Sequence, residues 1–340
     1  MTLLTTLIPA YKPDYLGEVF LGLRRQSLRD FRVILSDDSP GGVITEMIRD
    51  GRFGPVASEL NLLVVRGPCN ARRNHEQLLE RWAGQTPLVH FHLDDDVIFP
   101  SFYSVHAAAH ASGQFGATVS RRWLSQTDSR PAWDLALPDF VNDSPLRAVP
   151  VSAEQLIRST LPSCENWLGE FSNVVFSASG AAHYPRPPVE GLSFYGLMDI
   201  GALLAAGSAQ PLLFLRDHLG VFRQHAQQST RTTLGSHGHR VVMLVWAAYA
   251  LYAWQQGRIS DQDAIRAISI TVQRCAQMYG KGDPVMNEFF DLVHHQGASL
   301  TLLHEAFSRF WLALLASHPG TCTAAPASAV APCSTEPATA

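Results

Sequence analysis

The chain has 340 residues, 46 % of them hydrophobic, with a formal net charge of −4 and a pI near 6.4. That length and apolar content suffice for one large α/β domain plus a helical appendage, and the absence of a basic field excludes nucleic acid as a main partner. The five cysteines, Cys69, Cys164, Cys275, Cys322 and Cys333, are scattered without a CxxC pair, which reads as reduced thiols in a cytoplasmic protein, not as a disulfide framework or zinc site.

The opening run MTLLTTLIPAYKPDYL has no basic n-region and no small-residue cleavage site, so it reads as a first strand over 3–10 rather than as a signal peptide. A helix over 15–26 follows, with Leu16, Val19, Phe20 and Leu23 on one face, then strands over 31–36 and 60–65, a helix over 70–82 and a strand over 88–93. This alternation predicts βαβ units around a mostly parallel central sheet flanked by helices. Ligands of such sheets bind beyond the carboxyl ends of the strands.

From 121 to 150 the pattern dissolves into Pro, Asp, Ser and Trp, which predicts a long loop lining or covering something. Strand signal returns over 172–177, a helix over 198–206 and a strand over 211–215. Helical spacing then dominates over 241–255, 261–278, 287–294 and 300–315, a helical carboxy-terminal segment. The most apolar stretch there, 241–253, is about 13 residues, short of the roughly 20 a bilayer crossing needs. Past His318 the Ala/Pro/Ser/Thr tail has no periodicity and reads as disordered. The expected organisation is a sheet domain over 1–235, helices over 236–316 and a tail over 317–340.

Chemistry concentrates at two strand ends. Asp94, Asp95 and Asp96 stand directly after the 88–93 strand, and three adjacent carboxylates repel one another unless a cation or donor group lies between them. Oxygen ligands of this kind suit Mg²⁺ or Mn²⁺, which can bridge a nucleotide's two phosphates; a solvated acidic turn is the plainer reading. Asp37 and Asp38 end the second strand, where an Asp either accepts from a nucleobase N–H or caps the turn before Gly41 and Gly42.

The order of these motifs resembles family 2 glycosyltransferases, which have the GT-A nucleotide-diphospho-sugar transferase fold. Pro9, Tyr11, Gln26, Phe31, Asp37 and Asp38 stand where that family has its opening Pro-x-Tyr, its helix-ending Gln and its strand-ending Asp pair. GPCNARRNHEQLLERWAG is similar to the family's G-x-x-x-A-R-N helix through Gly67, Arg73 and Asn74, and HLDDDVIFP, with Pro100, looks like the Asp-x-Asp region. WLGEFS, through Gly169, Glu170 and Ser172, resembles an acceptor-side segment. Asp199 falls at the catalytic-base position, with Met198 where Glu is more common, and LGVFRQHAQQST resembles the closing element through Phe222, Arg223, His225, Gln228 and Ser229. The resemblance covers residues 3–230.

It implies an inverting transfer from a nucleotide-diphosphate sugar to an acceptor hydroxyl of a glycan, lipid-linked glycan or protein, assisted by Mn²⁺ or Mg²⁺. Pro9, Tyr11, Asp38, Arg73, Asp94 and Arg223 would bind the donor, Asp94, Asp95, Asp96 and His225 would hold the metal, with His225 on a flexible segment, and Asp199 would be the general base. The bland alternative for Asp199 is a charge at a helix amino terminus, and for Arg223 and His225 a solvated loop. A catalytically inactive nucleotide-sugar or glycan-binding module is the competing function. A nucleotidyltransferase or dinucleotide dehydrogenase fails for want of a Gly-rich phosphate loop after the first strand. Trp123, Trp133 and Trp167 either stack on sugar rings or pack the core. The carboxy-terminal helices serve packing, homodimer formation or peripheral membrane contact, so membrane association of a cytoplasmic protein stays open.

Overall fold

The computed structural model describes residues 2–126, 130–184, 197–225, 234–280 and 282–317. The first half follows the apolar pattern closely. Strand β1 (Leu4–Ala10) leads through helix α1 (Leu16–Arg24) to β2 (Phe31–Asp37), then through α2 (Val43–Arg49) to β3 (Leu62–Arg66), and through α3 (Ala71–Trp82) to β4 (Leu88–Phe91). Helix α1 buries Leu16, Val19, Phe20 and Leu23, the stripe its spacing predicts. Helix α3 is capped by Asn70, whose side chain accepts from the Arg73 N–H.

The second half contains β5 (Val97–Ile98), α4 (Phe102–Ala111), β6 (Ala117–Ser125), β7 (Ala148–Val151), α5 (Ala153–Thr160), β8 (Val174–Ser177), α6 (Met198–Ala209) and β9 (Leu212–Arg223). Four helices complete the described chain: α7 (His237–Gln255), α8 (Asp261–Tyr279), α9 (Pro284–Gln296) and α10 (Leu300–Ala316).

The strands form one sheet in the order β3-β2-β1-β4-β8-β6-β9-β5, with β7 also on β9. Its parallel character belongs to β3, β2, β1 and β4 and to the β6–β9 pair, while β8, β5 and β7 pair antiparallel. Because β2 and β3 lie on one side of β1 and β4 on the other, the chain reverses direction across the sheet at β1. That reversal opens a crevice at the carboxyl ends of β1, β2 and β4.

Two expectations are corrected. Residues 121–125 are strand rather than loop, because Arg121 and Arg122, which interrupt the apolar run, find partners in Asp134 and Glu170. The strand expected over 211–215 continues to Arg223, past Arg216, Asp217 and His218, which pair with Ser144, Arg147 and Asp134 from neighbouring segments. Arg223 therefore ends a strand.

Apolar clusters fill both faces of the sheet. One joins Leu4, Ile8, Phe20, Val33 and Tyr103; the other runs from Leu7, Leu78, Trp82 and Phe91 through α6 into Trp246, Phe289, Phe307 and Trp311 of the terminal helices. The helical segment and the sheet thus share one continuous core. Trp167 belongs to it, packed on Phe214, whereas Trp123 stacks on His218 and Trp133 is 40 % exposed. Cys69, Cys164 and Cys275 form no disulfide among the described residues, and no helix among the described residues is long and apolar enough to cross a membrane. The segment expected to be a disordered tail, from His318 on, lies outside the described residues.

Candidate active site

Each of the three consecutive aspartates has a different environment. Beyond Ala10 the chain turns through Tyr11 and Lys12, whose backbone N–H groups donate to Asp94 Oδ2 at 2.7 and 2.9 Å. Burial, then the neighbouring Asp95 charge, raises the Asp94 pKa to about 6 against the pull of these two bonds. Asp96 is buried, and its Oδ1 accepts the Arg223 N–H at 3.1 Å. Burial and then the Asp95 charge push its pKa well above the usual range. Asp95, between them, has its Oδ2 2.9 Å from His225 Nε2.

The Asp37–Asp38 pair likewise divides. Asp37 takes the capping role: Oδ1 accepts from the Ser39 N–H and hydroxyl, and Oδ2 from the Thr45 N–H and hydroxyl. Burial works to raise its pKa, but these hydrogen bonds prevail and the net shift is downward. Asp38 instead accepts the Cys69 N–H with Oδ1; its pKa is raised by burial against that bond and the Arg66 charge. Gly67 permits this approach, since a Cβ there would stand 2.5 Å from Asp38 Oδ1.

Pro9, Tyr11, Lys12, Asp38, Asp94, Asp95 and Glu170 line one cleft of about 440 Å³, together with Cys69, Asn74, His75 and Phe222. Glu170 is held by Arg122 at 2.5 Å. Asp199, second residue of α6, is partly exposed; its Oδ1 accepts the Ile200 N–H at 2.8 Å and its Oδ2 the Asn166 amide at 3.3 Å. Burial and then the Glu170 charge raise its pKa to about 6, opposed by its helix-end N–H bonds and Arg122. An upward shift means that burial outweighs the helix amino terminus.

The structure thus brings Pro9, Tyr11, Asp38, Asp94 and Asp95 onto one surface, with His225 on Asp95 and Asp199 electrostatically coupled to Glu170. Arg73 and Arg223 are not part of that lining. The exposed Arg73 side chain pairs with Glu76 at 3.0 Å. Arg223 is fully buried, its guanidinium 3.8 Å from the Tyr15 ring centre and 2.7 Å from Glu18. Gln228 and Ser229 lie outside the described residues. Lys12, Asn74 and His75 went unassigned in the sequence. Asn74 and His75 belong with Leu78, Leu79 and Trp82 to the buried face of α3, and that spacing was the available signal.

Among the described residues no group of three or more His, Cys, Asp or Glu side chains is arranged to hold a metal. Asp95, which lines the cleft, and the buried His225, 2.9 Å from it, nevertheless supply one hard oxygen and one imidazole nitrogen. That donor set fits Mg²⁺ or Mn²⁺, ions that commonly take one or two protein ligands and complete their shell with water and substrate phosphates.

The sheet order, the crevice at β1 and the acidic strand ends define a GT-A fold. The solved structure of S. aureus TarS is similar, with a TM-score of 0.56 and 14 % identity over 93 % of this chain and 55 % of TarS, so the chain spans about half the length of that protein. TarS 1–349 matches with a TM-score of 0.56 and 13 % identity over 93 % of this chain and 90 % of that one. The same piece in complex with UDP-GlcNAc matches at 0.54 and 14 %, over 93 % and 92 %. No family model matches the sequence, and no curated protein does.

Proposed function

We propose that the protein is an inverting glycosyltransferase of the family 2 type, moving a sugar from a nucleotide-diphosphate sugar to an acceptor hydroxyl of a glycan, lipid-linked glycan or protein. The observation that carries this is the convergence of Asp38, beyond β2, and Asp94 and Asp95, beyond β4, on one cleft, with His225 2.9 Å from Asp95. A similar fold solved with UDP-GlcNAc supports a nucleotide-sugar donor.

In this reading Asp38, Pro9 and Tyr11 receive the nucleoside, and Asp95 and His225 would hold Mn²⁺ or Mg²⁺. Such an ion, when bound, neutralises charge on the departing diphosphate. Asp94 and Asp96 act chiefly by fixing the ends of β1 and β9. Arg73, on α3, would reach the nucleotide only by leaving Glu76, and Arg223 would reach a diphosphate only by leaving Glu18. The acceptor oxygen bonds to the anomeric carbon opposite the diphosphate, whose bond breaks with its electron pair, and the hydroxyl proton passes to Asp199. A pKa near 6 leaves Asp199 mostly ionised at neutral pH yet basic enough for this task. Residues 1–235 form the catalytic unit, braced by the helices of 236–316.

A second reading is an inactive nucleotide-sugar-binding module. Incubation with UDP- and GDP-sugars plus Mn²⁺ separates the two. The transferase releases nucleoside diphosphate, and Asp199→Asn and Asp95→Asn abolish that release; binding without release for every donor supports the module.

A further inference from the structure

Asn74 and His75 line the cleft, yet nothing above gives either a task. His75 lies on the second turn of α3, about 6 Å along the axis from its first residue, Ala71. Its ring stands 5.1 Å from Phe91 and 5.5 Å from Phe171, the residue after Glu170. It therefore stands beside the Glu170 segment of the cleft lining.

The state of the ring is fixed. His75 Nδ1 is 2.8 Å from the Ala71 carbonyl, and because a carbonyl only accepts, Nδ1 carries the proton and Nε2 keeps its lone pair. Burial lowers the pKa, opposed by the Ala71 bond and Glu76, so the imidazole is neutral at pH 7. Among the described residues Nε2 has no hydrogen-bond partner, nor does Asn74 Oδ1, although both residues are more than nine-tenths buried. A buried acceptor without a donor is costly, and two on one ligand-sized cleft point to donors that arrive with the ligand.

We propose that His75 Nε2, with Asn74 Oδ1, accepts hydrogen bonds from the donor's sugar ring and selects a neutral sugar carrying hydroxyl or acetamido N–H groups over a uronate. The inference rests on the nucleotide-sugar reading and adds the class of sugar. Charge agrees with it: Asp94, Asp95 and Glu170 line the cleft, and Lys12 is the one cationic side chain among its described lining residues. A sugar carboxylate would meet mostly like charge there.

The test is calorimetric titration of the intact protein, with Mn²⁺, using UDP, GDP, UDP-GlcNAc, UDP-glucose, UDP-glucuronate and GDP-mannose. In the wild type the preferred neutral sugar nucleotide binds at least about tenfold more tightly than UDP-glucuronate. His75→Leu keeps the affinity for the free diphosphate but loses about tenfold for the preferred sugar nucleotide, and His75→Gln, which retains an acceptor, recovers most of it. Deoxyfluoro analogues of that sugar test the same contact without any substitution, since fluorine cannot donate; one ring position should cost about tenfold. Wild-type protein that binds no nucleotide overturns the transferase reading and this inference with it. Diphosphate binding that persists while His75→Leu and every fluoro analogue leave sugar affinity unchanged, or a preference for glucuronate, overturns this inference alone.

Discussion

Replacing the proposed base should stabilise the protein while inactivating it. The Asp199 pKa rises from 3.8 to about 6 in the folded state, so the folded chain binds this proton more tightly than the unfolded chain does. The linkage sign follows: ionisation of Asp199 costs folding stability progressively as pH rises from about 4 to about 6, and the whole cost is present above that. A shift of this size corresponds to about 3 kcal/mol. Partial exposure of the carboxylate reduces the recoverable part to about 1–2 kcal/mol. Asp199→Asn removes the charge and keeps an acceptor for the Ile200 N–H, at the expense of the long 3.3 Å bond from Asn166. The variant should therefore melt about 2–4 °C above wild type at pH 7.5, with the difference vanishing near pH 4, as followed by differential scanning fluorimetry across that range. A variant less stable than wild type at pH 7.5, or a difference that ignores pH, refutes the reasoning.

The same group governs rate. With Asp199 as base, kcat/KM should fall about tenfold per pH unit below about 6, and a flat acid limb in a pH–rate series contradicts the assignment. Asp95→Asn and His225→Ala should each abolish the extra thermal stabilisation that Mn²⁺ adds to UDP or GDP, because they remove the two proposed ligands, which stand 2.9 Å apart; persistence of that increment in both variants places the ion elsewhere. Gly67→Ala inserts a Cβ 2.5 Å from Asp38 Oδ1, so nucleotide affinity measured by titration should drop at least about tenfold by displacement of Asp38; unchanged affinity separates Asp38 from the nucleotide.

The amino-terminal half was readable because its central strands are apolar runs buried on both faces, the mark of parallel strands covered by helices. Strands β6 and β9 were only partly readable, since Arg121, Arg122, Arg216, Asp217 and His218 break their apolar pattern and find partners distant in sequence, such as Glu170, Arg147 and the Ser144 carbonyl. Helix α4 was hidden by His106 and His110, which are buried or half-buried against Thr118 and the Val175 carbonyl. The acidic trio was legible as a candidate site from its place directly after an apolar strand. Its internal division was not, because the partners of Asp94 and Asp96 are backbone N–H groups 83 and 127 residues away. Arg223 carried no local sign that it would be buried against Tyr15 and Glu18.

That division explains how three neighbouring carboxylates coexist. The outer two are tied to β1's exit turn and to the end of β9, and those segments carry Tyr11 and His225. The trio is then one candidate ligand, Asp95, between two carboxylates that brace the segments carrying Tyr11 and His225. Bracing and ligation make different demands. Asp94→Ala frees two N–H groups at a turn where Tyr11 is 53 % exposed, so water satisfies them and the fold survives. It should weaken UDP and GDP about tenfold by letting the turn drift, yet leave the additional Mn²⁺ stabilisation in place at saturating nucleotide. Loss of that Mn²⁺ increment in Asp94→Ala, measured beside Asp95→Asn in the same fluorimetric series, makes Asp94 a metal ligand and not a brace.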